Sequence, residues 1–283
     1  MLFKGRYTVL FLLFLAVCFP PKAFALESAR TADPARIVSL GPGITEELYL
    51  LGLEDKIVGV TTYCRRVPAG AQKVAAAVDM SIEKVAALKP DLVLATAIIN
   101  PKGVEKLKNL GIRVVVFPAA RSFEQLCAQF MEMGVILGKE KEAALIVRKA
   151  RGEVDSVKSS VAGFARPGVI VQAGAKPLWV APRDSFINDF VEMAGGVNLG
   201  PAGESGGYSR EKVLKLNPEV IIITTMGIVG DEEKSLWEKY ANLAAVKNKR
   251  IYIVDSDKFC SPTPESFVST LKETAALLHP ENE

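Results

Sequence analysis

Histidine is nearly absent from this chain. Among 283 residues there is one, His279, close to the C-terminus. Most zinc and manganese sites, and most serine or cysteine nucleophile systems, draw on a histidine in the body of the fold. The remaining residues offer no nucleophile–base pair and no metal-ligand set, which argues against an enzyme and against a resident metal or cofactor. Cysteine is scarce as well, limited to Cys18, Cys64, Cys127 and Cys260. A nucleotide loop is also lacking. Gly41-Pro42-Gly43 has neither the Lys-Ser/Thr of a P-loop nor the third glycine of a dinucleotide site. A proline at a helix start after a glycine turn explains it better, and the backbone amides there could still meet an anionic ligand group.

Net charge is the next deficit, once the N-terminus is read. Lys4 and Arg6 precede an apolar run, Val9 to Phe19, followed by Pro20-Pro21-Lys22 and Ala23-Phe24-Ala25. A basic start, a short apolar stretch and a small-x-small end make a cleavable secretory signal over residues 1–25. The run is shorter than the roughly 20 residues of a comfortable membrane span. Cys18 follows Leu15-Ala16-Val17, a poor lipoprotein site because Val17 stands where a small residue is wanted. Simple cleavage and a periplasmic location are therefore expected. Of the 35 basic residues, Lys4, Arg6 and Lys22 lie in this segment, which leaves 32 basic against 32 acidic residues. Nucleic-acid binding has no charge support. An oxidising compartment permits one disulfide among Cys64, Cys127 and Cys260, with one thiol left over.

What the sequence does contain is a repeat. Ser81–Thr96 aligns with Ser209–Thr224 at an offset of 128, with seven of sixteen positions identical: Ser81/Ser209, Glu83/Glu211, Lys84/Lys212, Val85/Val213, Leu88/Leu216, Pro90/Pro218 and Thr96/Thr224. Serine caps a short helix and glutamate sits in its positive first turn. Val and Leu three apart face inward, and proline ends the helix. The continuous apolar run that follows reads as a strand buried on both faces, as in a parallel sheet. Two such units in register indicate a duplicated α/β domain.

The flanking sequence extends this pattern. Strands are expected at Ile37–Leu40, Lys56–Val60, Asp91–Ala95 and Arg113–Phe117, and again at Gly168–Gln172, Val220–Thr224 and Arg250–Val254, with helices between. Ser185–Ala194 is one of those helices, closed by Gly195-Gly196. Lys139–Val161 has apolar residues at three- and four-residue steps and reads as one long, stiff helix. The expected architecture is α/β: two Rossmann-like lobes with mostly parallel sheets, at 26–121 and 166–283, joined by a helical segment at 122–165. Ligands of open parallel sheets bind beyond the carboxyl ends of the strands, so the loops there are the ones to watch.

The residues that follow suggest a family. Arg36-Ile-Val-Ser-Leu-Gly-Pro-Gly-Ile-Thr-Glu46, Leu51-Gly52, Val58-Gly-Val-Thr-Thr-Tyr-Cys64, the two Ser-x-Glu-Lys-Val units, Leu110-Gly-Ile-Arg-Val-Val-Val116 and Gly195-Gly-Val-Asn198 occur in order. Together they resemble the helical-backbone class of periplasmic solute-binding proteins, which serves cobalamin, haem and ferric-siderophore ABC importers. The cobalamin type is the nearest match. The resemblance implies a monomer that holds a small-molecule ligand between two lobes and delivers it to an ABC permease. It also implies that Glu83 and Glu211 dock on the permease, although the helix dipole alone favours a glutamate at both positions.

For the cleft itself, the family places a ligand-contacting tyrosine at Tyr63, whose flat ring suits a corrin or porphyrin. Arg65 and Arg66 either pair with a carboxylate or phosphate on the ligand or are solvated surface. In the second lobe Gln172, Trp179, Tyr208, Met226 and Phe259 are expected after strands or at helix starts, facing the ligand. Cys64 and Cys260 follow cleft-facing strands, one per lobe, and either bridge across the mouth or remain separate thiols. A tryptophan familiar from the cobalamin type is replaced by Ala75-Ala-Ala-Val-Asp79, so the lining is less aromatic. A corrinoid is the expected ligand, with a ferric siderophore or haem as the alternative.

Overall fold

The computed structural model describes residues 34–76, 78–203, 205–225 and 230–280. The expected signal segment at 1–25 and Met226 lie outside them. The first sheet comprises β1 (Ile37–Leu40), β2 (Ile57–Thr61), β3 (Gln72–Ala75), β4 (Leu92–Thr96) and β5 (Val114–Phe117). Its order is β3-β2-β1-β4-β5, parallel throughout. Helices α1 (Pro42–Leu50), α2 (Ile82–Ala87) and α3 (Pro101–Asn109) cross between strands. Then α4 (Phe123–Ile136) and α5 (Glu140–Val161) lead away from the sheet.

The second lobe runs β6 (Gly168–Ala175), β7 (Leu178–Val180), α6 (Phe186–Met193), β8 (Val197–Asn198), α7 (Arg210–Leu216), β9 (Val220–Thr224), α8 (Gly230–Glu238), α9 (Ala244–Lys247), β10 (Ile251–Val254), α10 (Ser256–Cys260) and α11 (Pro264–Leu278). Its strand order is β10-β9-β6-β7, with β8 also on β6. Only β6–β7 is antiparallel among these pairs.

The repeat is visible atom by atom. The Ser81 and Ser209 hydroxyls each accept from the backbone N–H three residues on, at 3.2 Å in both cases. Each helix ends on a left-handed residue, Lys89 with φ 45° and Asn217 with φ 48°. The correspondence continues past the aligned identities. Asp91 Oδ2 accepts from the Arg36 N–H at 2.9 Å, and Glu219 Oε2 accepts from the Gly168 N–H at 2.9 Å. An acid at the same repeat position thus ties the start of a sheet strand in each lobe.

The segment between the lobes is two helices. Gly138, with φ 67°, makes the left-handed turn between them. At 22 residues α5 is about 33 Å long. It packs against α4 and α11, so residues from both lobes share one apolar core. Phe267 of α11 stacks on Phe190 at 4.3 Å and lies 4.6 Å from Phe123 of α4. The Phe123 N–H donates to Asp189 of α6 at 2.7 Å. Among the described residues no helix is long and apolar enough to cross a membrane.

Candidate functional site

Parallel strands give each sheet a carboxyl edge, and the two edges face each other. The loop after β2 carries Arg65, whose Nη2 donates to Asp255 Oδ2 at 2.7 Å and whose Nε pairs with Asp257. Those aspartates follow β10 in the other lobe. At the start of α1, a side chain on Gly43 would meet the Ser261 carbonyl at 3.5 Å. The mouth of the cleft therefore runs between the loops after β1 and β2 on one side and the β10–α11 connection on the other.

Tyr63 sits on the β2 loop with 62% of its surface exposed, its N–H donating to Thr61 Oγ1 at 3.3 Å. Two further apolar residues stand in solvent at the same edge. Ile98, 67% exposed, follows β4, and Val78 follows β3. Asn100 joins their loops, its N–H donating to the Val78 carbonyl at 2.8 Å and its side-chain amide to Asp79 at 3.2 Å. Sequence reasoning missed Ile98 and Val78. The available signal was an apolar residue just past a strand end, where turn residues are the norm.

A buried chain of hydroxyls holds the Tyr63 loop. Ser39 and Thr45 are 2.8 Å apart, Thr45 lies 3.1 Å from Cys64 Sγ, and Thr61 lies 3.2 Å from the same sulfur. Of the two readings of Cys64 and Cys260, the arrangement is that of separate thiols, because Cys64, Cys127 and Cys260 are all free. Cys64 is turned inward between two threonines. Burial first, then Asp257 and Asp255, pushes the Cys260 thiol up to about 11. Burial pushes Cys127 up to about 12. Both are inert protonated thiols at neutral pH.

In the second lobe two expected ligand contacts lie in the interior instead. Gln172 is 0% exposed. Its amide nitrogen donates to Glu233 at 2.7 Å and its oxygen accepts from Trp237 Nε1 at 2.7 Å. Arg210 completes the ring, 2.5 Å from Glu233 and stacked over Trp237 with its guanidinium carbon 4.5 Å from the ring centre. Phe259 is 2% exposed and packs on Phe190 at 5.0 Å. Neither side chain has a free face for a ligand. Trp179 and Tyr208 are half-buried. The backbone at Gly206 lies so close over the Trp179 indole that a Cβ there would come within 2.2 Å of it. Tyr208 donates to the Leu199 carbonyl at 3.4 Å, and Lys212 Nζ lies 4.5 Å from its ring centre. Both rings thus already have neighbours on one side. Met226, outside the described residues, has no placement.

Both arginines of the β2 loop have partners. Arg65 is held by two aspartates, and Arg66 pairs with Glu46 at 3.4 Å while lying over Tyr49. The missed partners were Asp255 and Asp257, whose sequence signal is a pair of acids directly beyond a strand end. Glu83 and Glu211 are both exposed. Their own backbone N–H groups, and then Ser81 and Ser209, hold the two carboxyls below the ordinary range. Among the described residues no group of His, Cys, Asp and Glu is arranged to hold a metal ion.

Comparison with known proteins extends this geometry. A family model described as periplasmic binding protein matches residues 37–258. An ABC transporter substrate-binding lipoprotein of Bacillus subtilis, YvrC, is 30% identical over 88% of this chain and 81% of its own. The vitamin B12-binding protein of Vibrio cholerae is 26% identical over 84% of this chain and 87% of its own. A Staphylococcus epidermidis structure, described as that of a possible iron-binding (periplasmic solute-binding) protein, superposes with a TM-score of 0.78. It is 29% identical, covering 88% of this chain and 100% of that one.

Proposed function

Because the chain belongs to the periplasmic binding protein family, we propose that it is exported, captures a corrinoid between its lobes and delivers it to an ABC permease. A substrate-binding role follows from the family; the corrinoid is the finer reading. The observation that carries it is the exposed apolar edge of the first lobe, where Tyr63 and Ile98 project past β2 and β4. A flat aromatic face and an aliphatic neighbour suit a broad, rigid macrocycle. The B12-binding relative supports the same class.

The pairing of the arginines favours a corrinoid over an anionic ligand. Haem and many siderophore complexes carry carboxylates or catecholates that call for a free cation, whereas a corrin rim is edged with neutral amides. Arg65 and Arg66 are already paired with Asp255, Asp257 and Glu46. Breaking those pairs would cost an anionic ligand part of its binding energy. A neutral rim asks for no free cation to replace them.

Calorimetric titration of the mature chain with cyanocobalamin, haem and a ferric catecholate tests this reading. One equivalent of cyanocobalamin should bind, and Tyr63→Ala should weaken it by about tenfold, the loss of one stacked aromatic contact of about 1.4 kcal/mol. Heat from haem or the catecholate alone would sink the corrinoid reading while leaving the binding-protein role in place.

A further inference from the structure

Packing joins the lobes on one side and charge joins them on the other. At the back, α4, α5, α6 and α11 share one apolar core. At the mouth, a single guanidinium reaches across 190 residues of sequence to Asp255, and also to Asp257. Asp255 divides its two oxygens between the lobes. Oδ1 accepts from the Asp257 N–H at 3.0 Å and caps α10, while Oδ2 takes Arg65 of the other lobe at 2.7 Å. The carboxylate is therefore fixed by its own helix before it meets its partner.

We propose that Arg65, Asp255 and Asp257 form an electrostatic latch that holds the ligand-free cleft closed, and that its release admits the ligand. The planar guanidinium fork matches two carboxylates at once, so the contact is directional as well as attractive. All three side chains are substantially exposed, at 62%, 39% and 48%. Exposed pairs are weak and screened by salt. That weakness suits a latch, since it shifts the balance of open and closed forms by a few-fold without locking either. The apolar core at the back offers no such adjustable contact, so it serves as the hinge. Arg65 holds the Asp255 carboxyl below its ordinary range, so the latch keeps its charge further into acid pH than an unpaired aspartate would. The proposal rests on the two-lobe geometry alone and is independent of which ligand the cleft takes.

Pulsed electron paramagnetic resonance on ligand-free protein tests it. Nitroxides are attached at Lys102→Cys on α3 and Ser235→Cys on α8, both exposed, in a Cys260→Ser background without residues 1–25, whose remaining thiols, Cys64 and Cys127, are buried. Arg65→Ala should raise the ratio of long to short inter-lobe distances roughly three- to tenfold. Asp255→Asn/Asp257→Asn should do the same, because asparagine keeps the Oδ1 acceptor that caps α10. About 1 M NaCl, which screens charges beyond roughly 3 Å, should open the parent protein equally and leave Arg65→Ala unchanged. Superimposable distributions in the parent and both variants would overturn the latch. So would a salt response that persists in Arg65→Ala.

Discussion

Glu47 is the residue whose chemistry is most out of place. It sits on α1, is 7% exposed and has no hydrogen-bond or ion-pair partner among the described residues. Burial raises its carboxyl from 4.5 to about 8. The folded chain therefore holds this proton across a range in which the unfolded chain releases it. Stability should be full below about pH 4.5, fall as pH rises towards 8, and level off above that. The penalty at high pH is at most about 4–5 kcal/mol. Glu47→Gln removes the titration and keeps the volume. In denaturant unfolding at pH 4.5 and pH 9, the variant should match the parent at the lower pH and exceed it at the higher. Parallel pH profiles for the two proteins would refute the account. Gly43 lies one turn away on the same helix and faces Ser261 of the second lobe.

At the scale of elements, the duplicated units diverge where one of them becomes polar. Offset by 128, Arg210 of α7 stands where α2 has Ile82. Strand pairing sets Gln172 of β6 where β1 has Leu40, since Ile37 pairs with Leu92 and Val169 pairs with Val220. The first lobe packs this junction with apolar side chains, whereas the second uses Arg210, Glu233, Gln172 and Trp237. A buried pair is costly to break yet nearly neutral to replace whole. Glu233→Met alone should destabilise the chain by about 3 kcal/mol, because it strands Arg210. Arg210→Met/Glu233→Met should lie within about 1 kcal/mol of the parent. Gln172 would keep Trp237 and the Gly174 carbonyl as partners. Chemical unfolding of both variants checks this, and a double variant as unstable as the single would refute it.

The same junction shows how far the sequence could be read. The repeat set α2 and α7 to their caps and β9 to its end residues, and a short apolar run did the same for β1, because those signals are local. The strands β3, β7 and β8 were missed: at two to four residues they form through their neighbours and not through their own pattern. Gln172 and Phe259 were expected at the cleft because they lie near strand ends. Which face of a strand or short helix a side chain takes depends on register, and one residue of shift reverses it. Asp255 and Asp257 escaped notice because their partner lies in the other lobe.

For the whole molecule, the relevant property is that each lobe carries one matched acid while the shared core at the back limits how far the two can move apart. Glu83 and Glu211 occupy the same position of the same repeat unit, one per lobe. The lobes are braced by α5, packed along α11 and tied to it by Glu153 and Lys272 at 2.5 Å. A limited range of spacing would turn two weak charge contacts into one bivalent contact, since the second acid would dock at high effective concentration once the first is engaged. If these glutamates meet cations of a permease, Glu83→Lys and Glu211→Lys should each cut cyanocobalamin uptake by about tenfold or more, the cost of one charge contact in a bivalent pair. The double reversal should abolish uptake. Calorimetric affinity for cyanocobalamin should stay unchanged in all three, because neither acid is among the residues proposed to meet the ligand. Reduced affinity would mean the reversals disturb the lobes themselves, and uptake equal to the parent would mean the acids serve only their helix dipoles.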